Sequence, residues 1–169
     1  SWEHYTSLIH LLGIRSTHMY SRMSKDFETN IGHAVCGGHT RIMYRRDDYL
    51  GNLRHALLEN VTHLPEVVVL NRGAHYTNDT EFMAGMRSAL GVVEEWQRRC
   101  DQWKIKCHFF WRTTVPGHIS CRDFKAPVND KAVIEAHVAN VSKYDATTVK
   151  FHWHDFQHQN LLAEAELNR

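Results

Sequence analysis

The run Glu66-Val67-Val68-Val69-Leu70, set off by Pro65, constrains this chain more than any other stretch. Three β-branched residues and a leucine in succession do not alternate between apolar and polar, so the pattern suits a strand buried on both faces of a parallel sheet. Parallel strands cannot be joined by a tight hairpin and need a crossover, normally a helix. The surrounding sequence supplies that alternation. Ile31 to Cys36 and Thr40 to Tyr44 read as short strands about a Gly37-Gly38 turn, and Tyr49 to Glu59 reads as a helix. Asn78 with Glu81 three residues on has the form of a capping box. It opens a long helix in which Phe82, Met86, Leu90 and Val93 recur towards Trp96, a stripe that packs a core and does not line a cofactor. Lys106 to Trp111 is a further strand, and residues 131–142 and Gln157 to Leu167 are helical. At the front, Tyr5, Leu8, Ile9, Leu11 and Leu12 are spaced as an amphipathic helix over residues 2–12, with Gly13 as its C-cap. The expected fold is α/β, a three-layer sandwich with a mainly parallel sheet, with ligands gathering where strands end in loops.

A chain of 169 residues at 43% hydrophobic is long enough to bury a sizeable core and too short for two ordinary domains, so one domain over residues 1–169 is expected. Lysine and arginine number 20 against 19 aspartates and glutamates, which leaves no electrostatic footprint for nucleic acid or an anionic membrane. No run approaches the roughly 20 apolar residues that span a bilayer. No signal peptide opens the chain, whose start, Ser1-Trp2-Glu3, goes straight into helical pattern; it reads as cut from something longer, with any membrane anchor lying outside it. Cys36, Cys100, Cys107 and Cys121 are too far apart for a zinc knuckle or a CxxC motif and suit one or two disulfides in an oxidising compartment.

Chemistry concentrates in Phe151-His152-Trp153-His154-Asp155-Phe156-Gln157-His158. An aspartate followed three residues later by a histidine at the mouth of a helix presents a carboxylate and an imidazole to one pocket, which is part of an acid–base machine. Two other loops belong at the same edge of a parallel sheet: Asn71-Arg72-Gly73-Ala74-His75 and Arg112-Thr113-Thr114-Val115-Pro116-Gly117-His118. A different chemistry is open to the same stretch, because His152, His154, Asp155 and His158 are donors of the kind borderline metals accept, with His75 or His118 able to complete a metal-dependent hydrolase or metal-binding module. A third class is a carbohydrate-binding domain without catalysis, to which the 5 tryptophans and 6 tyrosines are suited.

Three blocks in this order, Val68 to Tyr76, Trp111 to His118 and Asp155-x-x-His158, resemble the PC-esterase branch of the SGNH (GDSL-like) hydrolase superfamily, which holds the trichome-birefringence-like polysaccharide O-acetyltransferases. The resemblance runs over nearly the whole chain, with Ser7-Leu8 similar to the segment after the family's Gly-Asp-Ser block and Arg41 to Arg45 similar to its next strand. It implies a serine-type acyl esterase or O-acyltransferase acting on acyl groups of carbohydrate, with O-acetyl the expected group, in the secretory pathway, in the Golgi lumen or outside the cell. His158 would be the base, Asp155 the carboxylate that orients its ring, and Asn71 an oxyanion donor. Gly73 would let the backbone pass close to substrate, and His75 and His118 would line the cleft. Gly37 or Gly38 would supply the family's second oxyanion donor, and no cofactor is implied. One departure stands out. Gly-Asp-Ser is missing from the sequence, and counting back from Ser7-Leu8 by the family's spacing puts the nucleophilic serine about two residues before Ser1, with its strand. Trp2 also stands where many plant members keep an arginine.

Overall fold

The structure, a computed structural model, describes Leu8, Leu11 and residues 30–45, 47–59, 62–73, 78–114, 125–126, 128–141 and 155–169. Backbone contacts divide the chain into two compact units, Ser1–Asp47 and Asp48–Arg169. In the first unit, β1 (Asn30–Val35) and β2 (Thr40–Arg45) form an antiparallel hairpin in the register Val35↔Thr40 to Asn30↔Arg45. Its turn, Cys36–Gly38, requires left-handed backbone at Cys36 (φ 52°), Gly37 (φ 67°) and Gly38 (φ 90°), which explains two consecutive glycines. Of the expected opening helix only Leu8 and Leu11 are described, and both are helical and exposed.

The second unit is mixed α/β. Its elements are α1 (Leu53–Leu57), β3 (Val67–Leu70), α2 (Asp79–Gln102), β4 (His108–Trp111), α3 (Lys131–Val141) and α4 (Phe156–Leu167). β3 and β4 pair in parallel, Val67↔His108 through Leu70↔Trp111, with α2 as the crossover that parallel pairing demands. The long helix starts as its capping residues dictate: Asn78 Oδ1 accepts from Glu81 N at 2.8 Å. The helix ends in a Schellman turn, with Ile105 N donating to Cys100 O at 2.9 Å and Lys104 N to Asp101 O at 3.1 Å. The left-handed position of that turn is filled by Lys104 (φ 56°) where glycine is usual. A Cys100–Cys107 disulfide then staples the end of α2 to the approach of β4.

The apolar stripe of α2 is divided between two clusters. Ala89, Val93, Trp96 and Cys100 pack with Leu53, Leu57, Leu58 and Leu64 and with Val68 and Leu70 of β3. Phe82 and Met86 pack with Ala163 of α4, and Trp111 touches both clusters. The polar atom of the deepest side chain is satisfied, as Trp96 Nε1 donates to Pro65 O at 3.1 Å. β3 departs from its sequence pattern in one respect. Val68 and Leu70 are buried, but Val67 and Val69 are 55% and 59% exposed, as is Phe110 of β4 at 55%. Apolar residues on both faces mark a strand designed for two layers, whereas the described residues lay the core helix α2 on one face only.

Candidate functional site at the carboxyl ends of β3 and β4

Parallel pairing with Leu70 opposite Trp111 delivers the two strand exits, Asn71 and Arg112, to the same edge. Arg112 N donates to Leu70 O at 2.7 Å, extending the ladder one step past the strand. There the side chains take over from the backbone. Asn71 Nδ2 donates to Arg112 O at 2.7 Å and to Thr114 Oγ1 at 3.1 Å, and that hydroxyl donates in turn to Arg72 O at 3.0 Å. Thr114 is then gripped from outside by α4: its N–H donates to Asn160 Oδ1 at 2.8 Å, and Asn160 Nδ2 donates back to Thr114 O at 2.9 Å. The outcome is a clamp that ties both strand exits to the first turns of the last helix. Gly73 completes it, because a Cβ there would overlap the Thr114 hydroxyl.

The clamp sets where α4 presents His158. Ala163 packs on Phe82 and Met86, and Arg87 forks onto Glu166 at 3.0 and 3.1 Å, so α4 lies along the first half of α2. The Arg87 bond holds the Glu166 carboxyl below the usual carboxylate range. In the first turn of α4, His158 Nε2 reaches Asp79 Oδ2, in the first turn of α2, at 3.0 Å. Asp155 occupies the N-cap of α4 in helical backbone and makes no capping bond with its side chain.

Among the described residues, Arg112 Nη1 and Gln159 Oε1 are buried without a hydrogen-bond partner, and the Gln159 residue is only 2% exposed. An orphaned donor and acceptor are costly to keep in a folded protein and call for an explanation. Nearby, the Arg72 guanidinium is buried against α2, donating through Nη1 to Tyr49 O at 2.7 Å. Gly85 makes room for it, since a Cβ at that position would collide with the guanidinium.

No protein family, curated protein or solved structure matches the chain. The site therefore rests on its own residues. Of those singled out from the sequence, Asn71, Gly73, Asp155 and His158 fall in or beside the clamp. The Asn71 amide directs both its N–H groups to the chain itself, and Gly73 faces the Thr114 side chain. His75, His118, His152 and His154 lie outside the described residues, as does Cys121. Gly37 and Gly38 form the β1–β2 turn in the first unit. Among the described residues no three metal-ligating side chains converge. Sequence reasoning missed Asp79, Asn160, Gln159 and the part played by Thr114. Only Asp79 left a trace, as an acidic residue beside the Asn78 cap.

Proposed function

We propose that this chain is the SGNH-like, PC-esterase-type domain of a serine acyl esterase or O-acyltransferase acting on O-acetylated carbohydrate. The observation that supports this most is the Asn71–Thr114–Asn160 clamp. It joins two of the sequence blocks on which the resemblance rests and ties them to Asn160, two residues beyond the Asp155-x-x-His158 block, although all three are far apart along the chain. A mainly parallel three-layer sandwich is the architecture in which such a convergence arises, and the β3–α2–β4 crossover is consistent with one of its units. The apolar outer face of β3 and β4 also suits a sheet with a further layer.

In this reading a serine hydroxyl attacks the acyl carbonyl while the His158 ring takes its proton. The Ser O–C bond forms, and the negative charge gathers on the carbonyl oxygen. The bond to the sugar oxygen then breaks, and the proton passes from His158 to that leaving oxygen. In the second half a water or a sugar hydroxyl gives its proton to His158 as its oxygen bonds to the acyl carbon. The serine oxygen departs and recovers the proton. Esterase and transferase differ only in which hydroxyl arrives. The Cys100–Cys107 disulfide favours an oxidising setting such as the secretory pathway.

The test is hydrolysis of p-nitrophenyl acetate by the full-length protein and by His158→Ala. The variant is expected to lose turnover by at least about 100-fold while keeping its melting temperature. Undiminished turnover would remove His158 from the mechanism. Saturable binding of acetylated glycan with no turnover in the unaltered protein would point to a binding domain instead.

A further inference from the structure

The His158 ring is held from a direction that the Asp155-x-x-His158 spacing does not suggest. Its Nε2 lies 3.0 Å from Asp79 Oδ2, a carboxylate contributed by α2, 79 residues earlier in the chain. A carboxylate accepts hydrogen bonds and cannot donate them, so the proton of that contact belongs to Nε2. In the neutral ring the lone pair is then on Nδ1. Both partners are anchored by contacts of their own. Asn78 caps the turn that carries Asp79, and Asn160, two residues past His158, is locked on Thr114 by two bonds.

The two side chains are 60% and 51% exposed. A pair so open to water contributes little to holding two helices together. It does leave the far side of the ring open to substrate and solvent. The packing of Phe82 and Met86 on Ala163, together with the Arg87–Glu166 fork, already fixes α4 on α2 without it.

We infer that Asp79 is the positioning residue for His158 in acyl transfer, and that Nδ1 is the atom which takes and returns the proton. This rests on the acyl-transfer reading above. Asp79 fixes the tautomer: with Nε2–H directed at Oδ2, Nδ1 accepts the serine proton as the Ser O–C bond forms. The resulting imidazolium is balanced by the Asp79 carboxylate. Nδ1 then passes the proton to the departing sugar oxygen as the C–O bond breaks. Water reverses the sequence, giving its proton to Nδ1 and leaving the acid and the regenerated serine.

Two measurements on the full-length protein decide this. The first is the ring tautomer of His158, read from its 15N shifts at a pH where imidazoles are neutral. The Nε2–H form is expected in the unaltered protein and in Asp155→Asn, with Nδ1–H gained in Asp79→Asn. The second is p-nitrophenyl acetate hydrolysis. Asp79→Asn is expected to lower kcat about 100- to 10,000-fold with little change in KM or melting temperature, and Asp79→Glu to restore part of the loss. A tautomer that follows Asp155, or turnover that survives Asp79→Asn, would overturn the assignment while leaving the acyl-transfer reading intact. No turnover in the unaltered protein would overturn both.

Discussion

Thr114 shows how much a single side chain carries at this edge. Its hydroxyl both accepts from Asn71 and donates to Arg72 O, while its backbone is held by Asn160. Valine has the same shape and neither function. Thr114→Val removes the hydroxyl's bonds to Arg72 O and Asn71 Nδ2 inside a part-buried site, so chemical denaturation should show a loss of about 1–3 kcal/mol. Thr114→Ser should recover most of it. Lys104 is the opposite case, a residue that the fold would replace. Its left-handed backbone closes the Schellman turn at the cost of a Cβ clash that glycine avoids. Lys104→Gly is expected to stabilise the protein by about 1 kcal/mol, seen as a higher denaturation midpoint with an unchanged slope.

At the scale of elements, periodicity told most of the story where local residues decide the outcome. In the α2 stripe Phe82, Met86, Val93 and Trp96 are buried as their spacing requires while Leu90 is half-buried, and the Asn78 cap forms. The Gly37-Gly38 turn separates two strands within one residue of where the pattern puts their ends. The helix expected from Tyr49 to Glu59 contracts to Leu53–Leu57, because Leu50 takes a left-handed backbone (φ 57°) that no propensity pattern reveals. The β3 run was legible as a parallel strand but not as one with an exposed face, since hydropathy records what a strand is suited to and not what lies on it. The disulfide was open in the sequence, where four cysteines allowed several pairings; the Schellman turn is what brings Cys100 and Cys107 together. Closing so short a loop is worth roughly 2–3 kcal/mol on the chain-entropy account. Cys107→Ser should therefore lower the melting temperature, and reductant should do the same to the unaltered protein and nothing to the variant.

For the whole molecule, the mixed α/β class followed from alternating elements, and so did the gathering of loops at the carboxyl ends of β3 and β4. The wiring of that edge did not follow. Asn71 with Thr114, Thr114 with Asn160 and Asp79 with His158 are pairs separated by 43, 46 and 79 positions, beyond any local spacing rule. Such contacts exist only once the α2 crossover and the α4 packing are both in place. The Asp155-x-x-His158 spacing accordingly gave no sign of the contact between His158 and Asp79. The most direct measurement of the central claim is labelling of the full-length protein with a fluorophosphonate probe, followed by mass spectrometry. Under acyl transfer through a serine, one serine is modified in the unaltered protein, with labelling at least about 100-fold slower in His158→Ala. A protein that does not label, or one whose labelling is indifferent to His158, would contradict it.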